Sequence, residues 1–399
     1  MPGFSAAHMK PVHAKQALSA RARLIAEDVA RPAASSVDRD ARFPHEAITA
    51  LREEGLLAAA LPRELGGLGS SLLEITELCT ILGRACASTA AIFAMQQIQL
   101  ATIARHSAGA AFFDSYLRDA AEKQWLVASG VSETGVGGDL RSSIAAIERN
   151  GQRFSLRKRC SVVSYGAEAD AILITARRAP SANAGDQALA LLRKTDYRLE
   201  TTSAWNALGM RGTCSPAFLV SAEAPVEQIL PEPFRTVSVR TFVPWSCIAW
   251  ASGWLGIAEE AVSIARASVQ FEASRRPGTT PFGGARLVDA VNDLEMMRAS
   301  VRAAAAEYEQ LDAASSSSLS SMSYALRVNG LKLISARLVT RICMSALEVC
   351  GLAGYMNDSQ FSIGRLLRDA LAAPLMIGND RLTAINTSLL IACKDDSAE

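Results

Sequence analysis

The sequence predicts a mostly helical α+β chain with three domains: a helical N-terminal domain, a small antiparallel β-domain, and a C-terminal helical bundle. Apolar residues recur with helical spacing up to about residue 125 and again after Val237, whereas the stretch between them has short β-branched or alternating runs. The length of 399 residues also exceeds what one hydrophobic core normally serves. The predicted domains are residues 1–124, 125–236 and 237–399.

Helical periodicity dominates the N-terminal domain. Leu18, Ile25 and Val29 keep helical spacing, and Phe43-Pro44 is a favourable start for a further helix. The same periodicity recurs in two later segments, residues 72–86 and 90–106. Proline and glycine residues within 61–69 interrupt the helical pattern before these two segments, so we expect a break there.

The middle domain is predicted from four short strand-like runs, at residues 144–147, 171–176, 188–192 and 218–220. The segment 180–186 is rich in small residues and is expected to form a surface hairpin loop. The C-terminal domain is predicted to be a bundle of four long antiparallel helices, at residues 248–271, 287–311, 326–349 and 374–391. The polar serine run 315–321 is expected to link two of them.

Composition excludes several classes of function. The chain has 41 basic and 40 acidic residues, so its net charge gives no reason to expect nucleic acid or an anionic membrane as a partner. The eight cysteines are scattered without a C-x-x-C pair, which predicts neither a metal site nor disulfides. No apolar run has the length of a membrane-spanning helix, and the N-terminus lacks a secretion signal pattern. A cytoplasmic protein is therefore expected.

An ordered set of short motifs is the most informative feature of the chain. These are S-E-T-G-V-G-G-D at 132–139, S-Y-G-A-E-A-D at 164–170, G-M-R-G-T at 209–213, C-G-L-A-G-Y at 350–355 and R-D-A at 368–370. Alternating glycines let the backbone pass close to a flat ligand, and the nearby hydroxyl and amide groups can hydrogen-bond a heteroaromatic edge. Each motif alone is usually only a turn, but the ordered set indicates a flavin.

The set resembles the acyl-CoA dehydrogenase family, whose pattern is T-E-P-G-A-G-S-D, W-I-T-N-G-G-E-A-D, G-M-R-G-T, then G-G-x-G-Y and R-D-A. The resemblance covers nearly the whole chain. It implies an α+β, mostly α fold with an N-terminal helical domain, a middle antiparallel β-barrel-like domain and a C-terminal four-helix bundle. It also implies FAD as the cofactor and a homotetramer as the assembly.

The resemblance further implies which residues bind the flavin. Ser164 stands where the family has a threonine whose hydroxyl lies beside flavin N5, and Ser132 matches the first threonine of the pattern. Val162 replaces a tryptophan that covers one face of the ring. Arg276 and Phe282 match an arginine and a phenylalanine that hold the diphosphate of a neighbouring subunit's FAD. The other cofactor-binding residues that it implies are Val131, Gly137, Gly138, Glu348, Gly351, Asn379 and Arg381.

The chain departs from the family at the catalytic base, which must take a proton from the α carbon of an acyl thioester. Ile377 occupies the place of the usual glutamate, and Ser246 occupies the alternative position on the first long bundle helix. Cys247 stands where an arginine near the thioester is common. Asp380 is the nearest carboxylate in sequence and is the candidate base, although such an acid also suits the first turn of a helix.

Three functions stay open at this point. The first is a flavin-dependent dehydrogenase or oxidase that acts on an acyl thioester carried by coenzyme A or a carrier protein. The second is a flavin monooxygenase of the same fold, which needs no such glutamate and uses O2. The third is a non-catalytic flavoprotein or a scaffold that keeps the fold without the chemistry. The redox partner is accordingly an electron-transfer flavoprotein, a flavin reductase or O2. Trp245, Trp250 and Trp254 are expected in the bundle core, where one of them could form the floor of a substrate pocket.

Overall fold

The computed structural model describes residues 11–278, 281, 283–315 and 317–392, with side chains from residue 18 onward. Its N-terminal part is helical, as predicted. A π-helical turn, Ile25–Ala30, joins the first two helices, and short 3₁₀ turns occupy the predicted break before residue 70. The helices are α1 (Pro11–Leu24), α2 (Arg31–Arg39), α3 (His45–Glu53), α4 (Leu72–Ala85), α5 (Ala87–His106) and α6 (Ala111–Lys123).

Local sequence explains where these helices begin. Pro44 immediately precedes α3, where its fixed φ and missing N–H suit a helix start. Ser71 begins α4 with a capping box: its hydroxyl accepts from the Glu74 amide at 3.3 Å, and the Glu74 carboxylate accepts from the Ser71 amide at 2.9 Å. The start of α4 is thereby fixed although the preceding segment is irregular.

Helix α5 is buried on almost every side and joins the N-terminal part to the middle domain. Its two central glutamines are buried because backbone groups satisfy them. Gln97 accepts from the Ala60 amide at 2.9 Å, and Gln96 accepts from the Val127 amide at 2.8 Å. The second bond ties α5 to the first strand, so the strand begins next to this helix.

The middle domain has seven strands in two sheets. One sheet has the order β1-β4-β5 and the other the order β2-β3-β7-β6. β4 and β5 form the predicted hairpin, and both are buried along nearly their whole length. The strands are β1 (Val127–Gly130), β2 (Ile147–Asn150), β3 (Arg153–Cys160), β4 (Ala171–Arg177), β5 (Gln187–Arg193), β6 (Tyr197–Ser203) and β7 (Ala217–Pro225).

Two details of this domain differ from the prediction. β1 pairs with β4 in parallel, whereas the other strand pairs are antiparallel, because the chain crosses from one sheet to the other between them. The strand predicted at 144–147 begins only at Ile147, since the amides of Ile144 and Ala145 donate to the Glu133 carboxylate instead of to a neighbouring strand.

The C-terminal part is a helical bundle, as predicted. Its helices are α7 (Phe234–Val237), α8 (Val243–Arg275), α9 (Gly284–Ala314), α10 (Met322–Cys350), α11 (Leu352–Tyr355), α12 (Gly364–Ala370) and α13 (Asn379–Ala392), with a π-helical turn at Ser238–Phe242. Three of the predicted long helices are present. The fourth was predicted from residue 374 but begins at Asn379, because Ile377 has a left-handed backbone with φ of +47°.

Close helix packing brings the bundle against the N-terminal part. A Cβ at Gly83 of α4 would overlap the backbone of Gly253 of α8, and one at Gly256 would overlap the backbone of Thr80. Only glycine therefore permits this crossing. Within the described part of the chain, no helix is both long and apolar enough to cross a membrane.

Candidate functional site

A cavity of about 470 Å³ lies where the three parts of the chain meet. Its walls come from α5, the loop after β1, the ends of β3 and β6, the start of α8, and the turn between α12 and α13. Most of the lining is apolar, with a few polar groups among it. Cavities of this size and composition are typical of small-molecule and cofactor sites.

Ser164 lines this cavity at the end of a chain of hydroxyl groups. Thr213 Oγ1 lies 2.7 Å from Ser215 Oγ, and Ser215 Oγ donates to Ser164 Oγ at 2.9 Å. All three residues line the cavity. Because the Ser164 oxygen accepts in this chain, its own proton remains available for an acceptor inside the cavity.

Tyr165 holds the Ser164 turn in place. Its amide donates to the Thr213 carbonyl at 2.8 Å, and its buried phenol donates to the Val127 carbonyl of β1 at 3.0 Å. Tyr165 has a left-handed backbone with φ of +44°, which these two bonds maintain. The second and third motifs of the sequence are thereby joined directly.

The first motif forms the facing wall. Val131 and Ser132, two of the predicted cofactor-binding residues, both line the cavity. The Ser132 hydroxyl donates to the Val162 carbonyl at 2.6 Å and accepts from the Val162 amide at 3.1 Å, so it fastens the loop after β1 to the end of β3. Val162 lines the same wall with 41% of its surface exposed.

Helix α13 reaches the glycines of the first motif through Arg381. Its guanidinium donates to the Gly137 carbonyl at 2.5 Å and lies 3.2 Å from the Asp139 carboxylate. Gly137 and Gly138 have φ of +59° and +78°, a region that favours glycine. Gly138 lines the cavity, and Gly137 lies beside it under Arg381.

Both places where the family carries a base face the cavity, but neither holds a carboxylate. Ile377 and Ser246 line it, and Ser246 is buried and donates to the Phe242 carbonyl at 2.6 Å. Asp380, the predicted base, is exposed in the first turn of α13 and is not part of the lining. Cys247 is fully buried outside the lining, and burial raises its pKa to about 12, so its thiol is unreactive there.

Two carboxylates do occur among the described lining residues, and both are already bound. Glu133 accepts from the Ser143 hydroxyl at 2.6 Å and the Ala145 amide at 2.7 Å. Asp139 is hydrogen-bonded by Arg141. Burial alone would raise the pKa of Asp139, but the arginines beside it hold that pKa below its usual value. Both carboxylates therefore stabilise the loops around them and are poorly placed to abstract a proton from a substrate.

Three of the predicted cofactor residues lie at the far end of the bundle, away from the cavity lining. Arg276 directly follows α8, Glu348 forms an ion pair with Arg286, and Gly351 ends α10 with φ of +56°. The ends of α8 and α10 that carry them meet, because the Ser268 side chain of α8 hydrogen-bonds the Cys350 thiol of α10. Phe282 lies outside the described residues. Asn379 begins α13 and accepts from Lys332 at 2.6 Å.

Sequence reasoning missed the contact between the third and fifth motifs. The Met210 amide donates to the buried Asp369 carboxylate at 2.6 Å. Arg368 lines the cavity, pairs with Asp38 and donates to the Leu208 carbonyl at 2.9 Å. Both motifs were recognised, but nothing in their spacing of about 160 residues indicated that they touch.

Helices α5 and α8 supply lining residues that the motif pattern did not include. Gln99 is 1% exposed and lines the cavity, and the available signal was a group of three glutamines within a mostly apolar helix. Trp250 lines it as well, whereas Trp245 and Trp254 are buried in the bundle core. One of the three tryptophans thus borders the pocket, as the sequence suggested.

Similarity to known proteins extends over most of the chain. The cyclohex-1-ene-1-carbonyl-CoA dehydrogenase of Geobacter metallireducens is 25% identical over 361 residues, 89% of this chain and 92% of that protein. Butyryl-CoA dehydrogenase from Megasphaera elsdenii has the same fold, with a TM-score of 0.82 at 18% identity, over 97% of this chain and 100% of that one. A dibenzothiophene monooxygenase from a Paenibacillus species gives 0.77 at 19% identity, over 97% and 99%.

Two family profiles together match more than half of the sequence. Residues 13–149 match the acyl-CoA dehydrogenase N-terminal domain, and residues 238–386 match the acyl-CoA dehydrogenase C-terminal domain. The segment between the two matches contains five of the seven strands, β3 to β7, and Ser164. The chain belongs to the acyl-CoA dehydrogenase family of flavin-dependent oxidoreductases.

Proposed function

We propose that this protein oxidises an acyl thioester between its α and β carbons with FAD as its cofactor. The observation that carries the proposal is the Ser164 hydroxyl, which stands where the family binds flavin N5 and whose proton is available to the cavity. A bound FAD supplies the acceptor for the β hydride in this reaction. A donor aimed at that acceptor stabilises the negative charge that develops on reduction.

The residues around Ser164 fit a flavin. One wall is formed by Val131, Ser132 and Gly138. Because Gly138 has no side chain, a flat ring can approach the backbone closely there. The exposed Val162 supplies an apolar surface where the family has a tryptophan. The acyl group would lie against the apolar faces of α5 and of the π-helical turn before α8, where Ala91, Met95, Ile98 and Phe242 line the cavity.

The proton acceptor distinguishes this protein from the relatives that it resembles. Asp380 remains the predicted base, but its exposed position outside the lining gives this prediction no support. Glu133 and Asp139 are engaged by other groups. We therefore expect slow oxidation of ordinary saturated acyl-CoA, and faster oxidation of thioesters whose proton is acidic enough for a weak base.

A flavin-dependent monooxygenase is the second candidate. The observation that favours it is that both family base positions in the described lining, Ile377 and Ser246, are uncharged. Insertion of oxygen from O2 needs no α-proton base at these positions. A monooxygenase with the same fold supports this candidate as an analogy. Its redox partners would be a flavin reductase and O2, whereas a dehydrogenase would pass electrons to an electron-transfer flavoprotein.

A homotetramer with cofactor sites that span two subunits is part of the proposal. Arg276, Glu348 and Gly351 lie together at one end of the bundle and away from their own cavity, where they can serve a neighbouring subunit's FAD. Leu352 and Tyr355 beside them are 75% and 72% exposed. Large apolar side chains exposed in a group are typical of interfaces between subunits.

Two assays on the purified protein separate the candidates: an anaerobic titration with acyl thioesters and an aerobic assay with a flavin reductase and NADH. Bleaching of flavin absorbance by butyryl-CoA or cyclohex-1-ene-1-carbonyl-CoA supports the dehydrogenase. The monooxygenase is supported if neither thioester bleaches the flavin. In that case O2 should be consumed and an oxygenated product formed only when a flavin reductase and NADH are added. A protein that stays colourless after incubation with FAD and with FMN would contradict both.

A further inference from the structure

The turn at residues 371–378, here called the cavity turn, is the wall opposite the β-domain. It contributes six lining residues, Leu371, Ala372, Leu375, Met376, Ile377 and Gly378. A hydrogen bond from the Asn379 amide to the Pro374 carbonyl, at 2.9 Å, closes it. Within it Ile377 has φ of +47°, which is strongly disfavoured for a residue branched at Cβ. Such a conformation persists only where the surroundings hold it.

Lys332 of α10 is the group that holds it. The lysine is fully buried, and its Nζ donates to the Ile377 carbonyl at 2.7 Å and to the Asn379 side-chain oxygen at 2.6 Å. The two acceptors lie on either side of Gly378. The ammonium thus fixes both the strained residue and the first residue of α13.

The surroundings of Lys332 give it no other electrostatic role. On α8 it faces the Trp254 ring at 5.8 Å and the buried Cys247 thiol. Within the described part of the chain it forms no ion pair with a carboxylate. Burial lowers the pKa of Lys332 to about 8. A neutral amine keeps two N–H donors, which are enough for both bonds, so the contact survives deprotonation.

We propose that Lys332 is a positioning residue for the reaction proposed above: it holds the cavity turn in its left-handed conformation, so that residue 377 presents its side chain to the cavity contents. The role concerns the backbone of the turn and is the same for either candidate reaction. The inference rests on the proposed function only for its consequence in turnover, because the contact itself is a property of the folded chain.

Hydrogen–deuterium exchange on the full-length, flavin-incubated protein tests the contact. In Lys332→Met the amides of Met376 and Asn379 should exchange at least tenfold faster, relative to those of α4, than in the unaltered protein. Lys158→Met is the matched control, because Lys158 is also buried but donates to Val131 and Thr175 instead. It should leave the relative exchange of the cavity turn unchanged. Should Lys332→Met not fold, Asn379→Ala removes one acceptor and permits the same comparison.

A second substitution distinguishes positioning from a general loss of stability. Ile377→Gly removes the conformational strain, so the effect of Lys332→Met on the turn should fall at least threefold in this background. Equal amide exchange of the cavity turn in the unaltered and Lys332→Met proteins would overturn the proposal. So would an effect of Lys332→Met on this exchange that is as large in the Ile377→Gly background as in the unaltered one. Exchange is measured whether or not flavin binds. A protein that takes up no flavin therefore refutes the proposed function, whereas the role of Lys332 is still decided by the measured amide exchange of the cavity turn.

Discussion

Ile377→Glu tests whether the cavity keeps the geometry for α,β-oxidation and lacks only a base. Residue 377 lines the cavity at the position of the family's glutamate, and Lys332 holds its carbonyl on the opposite side. Glutamate is unbranched at Cβ, so it fits the left-handed backbone better than isoleucine does. A carboxylate introduced there is expected to reach the reacting carbon without movement of the backbone.

The expected gain is large enough to measure. A positioned general base contributes about 10²–10⁴ in rate. That range corresponds to about 3–5 kcal/mol of activation free energy. Ile377 is only half-buried, so loss of its apolar contacts should cost about 1–2 kcal/mol of folding stability. The variant should therefore fold and oxidise butyryl-CoA at least a hundredfold faster than the unaltered protein.

Stopped-flow measurement of anaerobic flavin bleaching is the assay, with Ile377→Gln as the isosteric control without a titratable group. The apolar lining should raise the pKa of the new glutamate above its ordinary value of about 4.3, and only the ionised form is a base. The bleaching rate of Ile377→Glu should therefore rise with pH through that pKa, while that of Ile377→Gln should not. An Ile377→Glu protein with normal flavin absorbance that bleaches no faster than Ile377→Gln would refute the reasoning.

Three further substitutions test the walls of the cavity. Ser164→Ala should lower the flavin reduction potential by about 30–60 mV, because a donor worth about 1.4–3 kcal/mol is lost, while Ser164→Thr retains it; redox titration against reference dyes measures this. Gly209→Ala should cost about 1–3 kcal/mol in urea unfolding, since its Cβ would overlap the Arg368 backbone. Burial raises the pKa of Asp369 to about 6, so the folded state binds its proton more tightly than the unfolded state. The free energy of unfolding of the unaltered protein should thus fall as pH rises from about 4 to about 6. In Asp369→Asn the side-chain oxygen still accepts from the Met210 amide, so this variant should be about 3 kcal/mol more stable than the unaltered protein at pH 7 and no more stable below about pH 4.

Local signals were enough to predict the architecture. Helical periodicity located α8, α9 and α10, and alternation with turn residues located the β4–β5 hairpin. The ordered motifs placed Ser164 and Ser132 on one cavity, because each motif fixes the backbone within a few residues of itself. These features depend on short-range rules, which a sequence expresses directly.

Features that depend on distant contacts could not be predicted. The strain at Ile377, which shortened the predicted last helix, exists because Lys332 lies 45 residues earlier in the chain and donates to it. Asp380 was a reasonable base from spacing alone, but the start of α13 turns it to the surface. The hydrogen bond that engages the Glu133 carboxylate likewise comes from Ser143, in a loop ten residues further along the chain.

Three of the left-handed residues other than glycine lie at or beside the cavity, and each of these three has an identifiable partner. The Tyr165 amide is held by Thr213, the Met210 amide by Asp369, and the Ile377 carbonyl by Lys332. Each such conformation costs about 1–3 kcal/mol and needs contacts from other elements to persist. The backbone that shapes the cavity is thus specified from several parts of the fold, whereas the departure from the family's chemistry lies in the side chains at 377 and 246. Exchange of one side chain should therefore change the reaction without rebuilding the site.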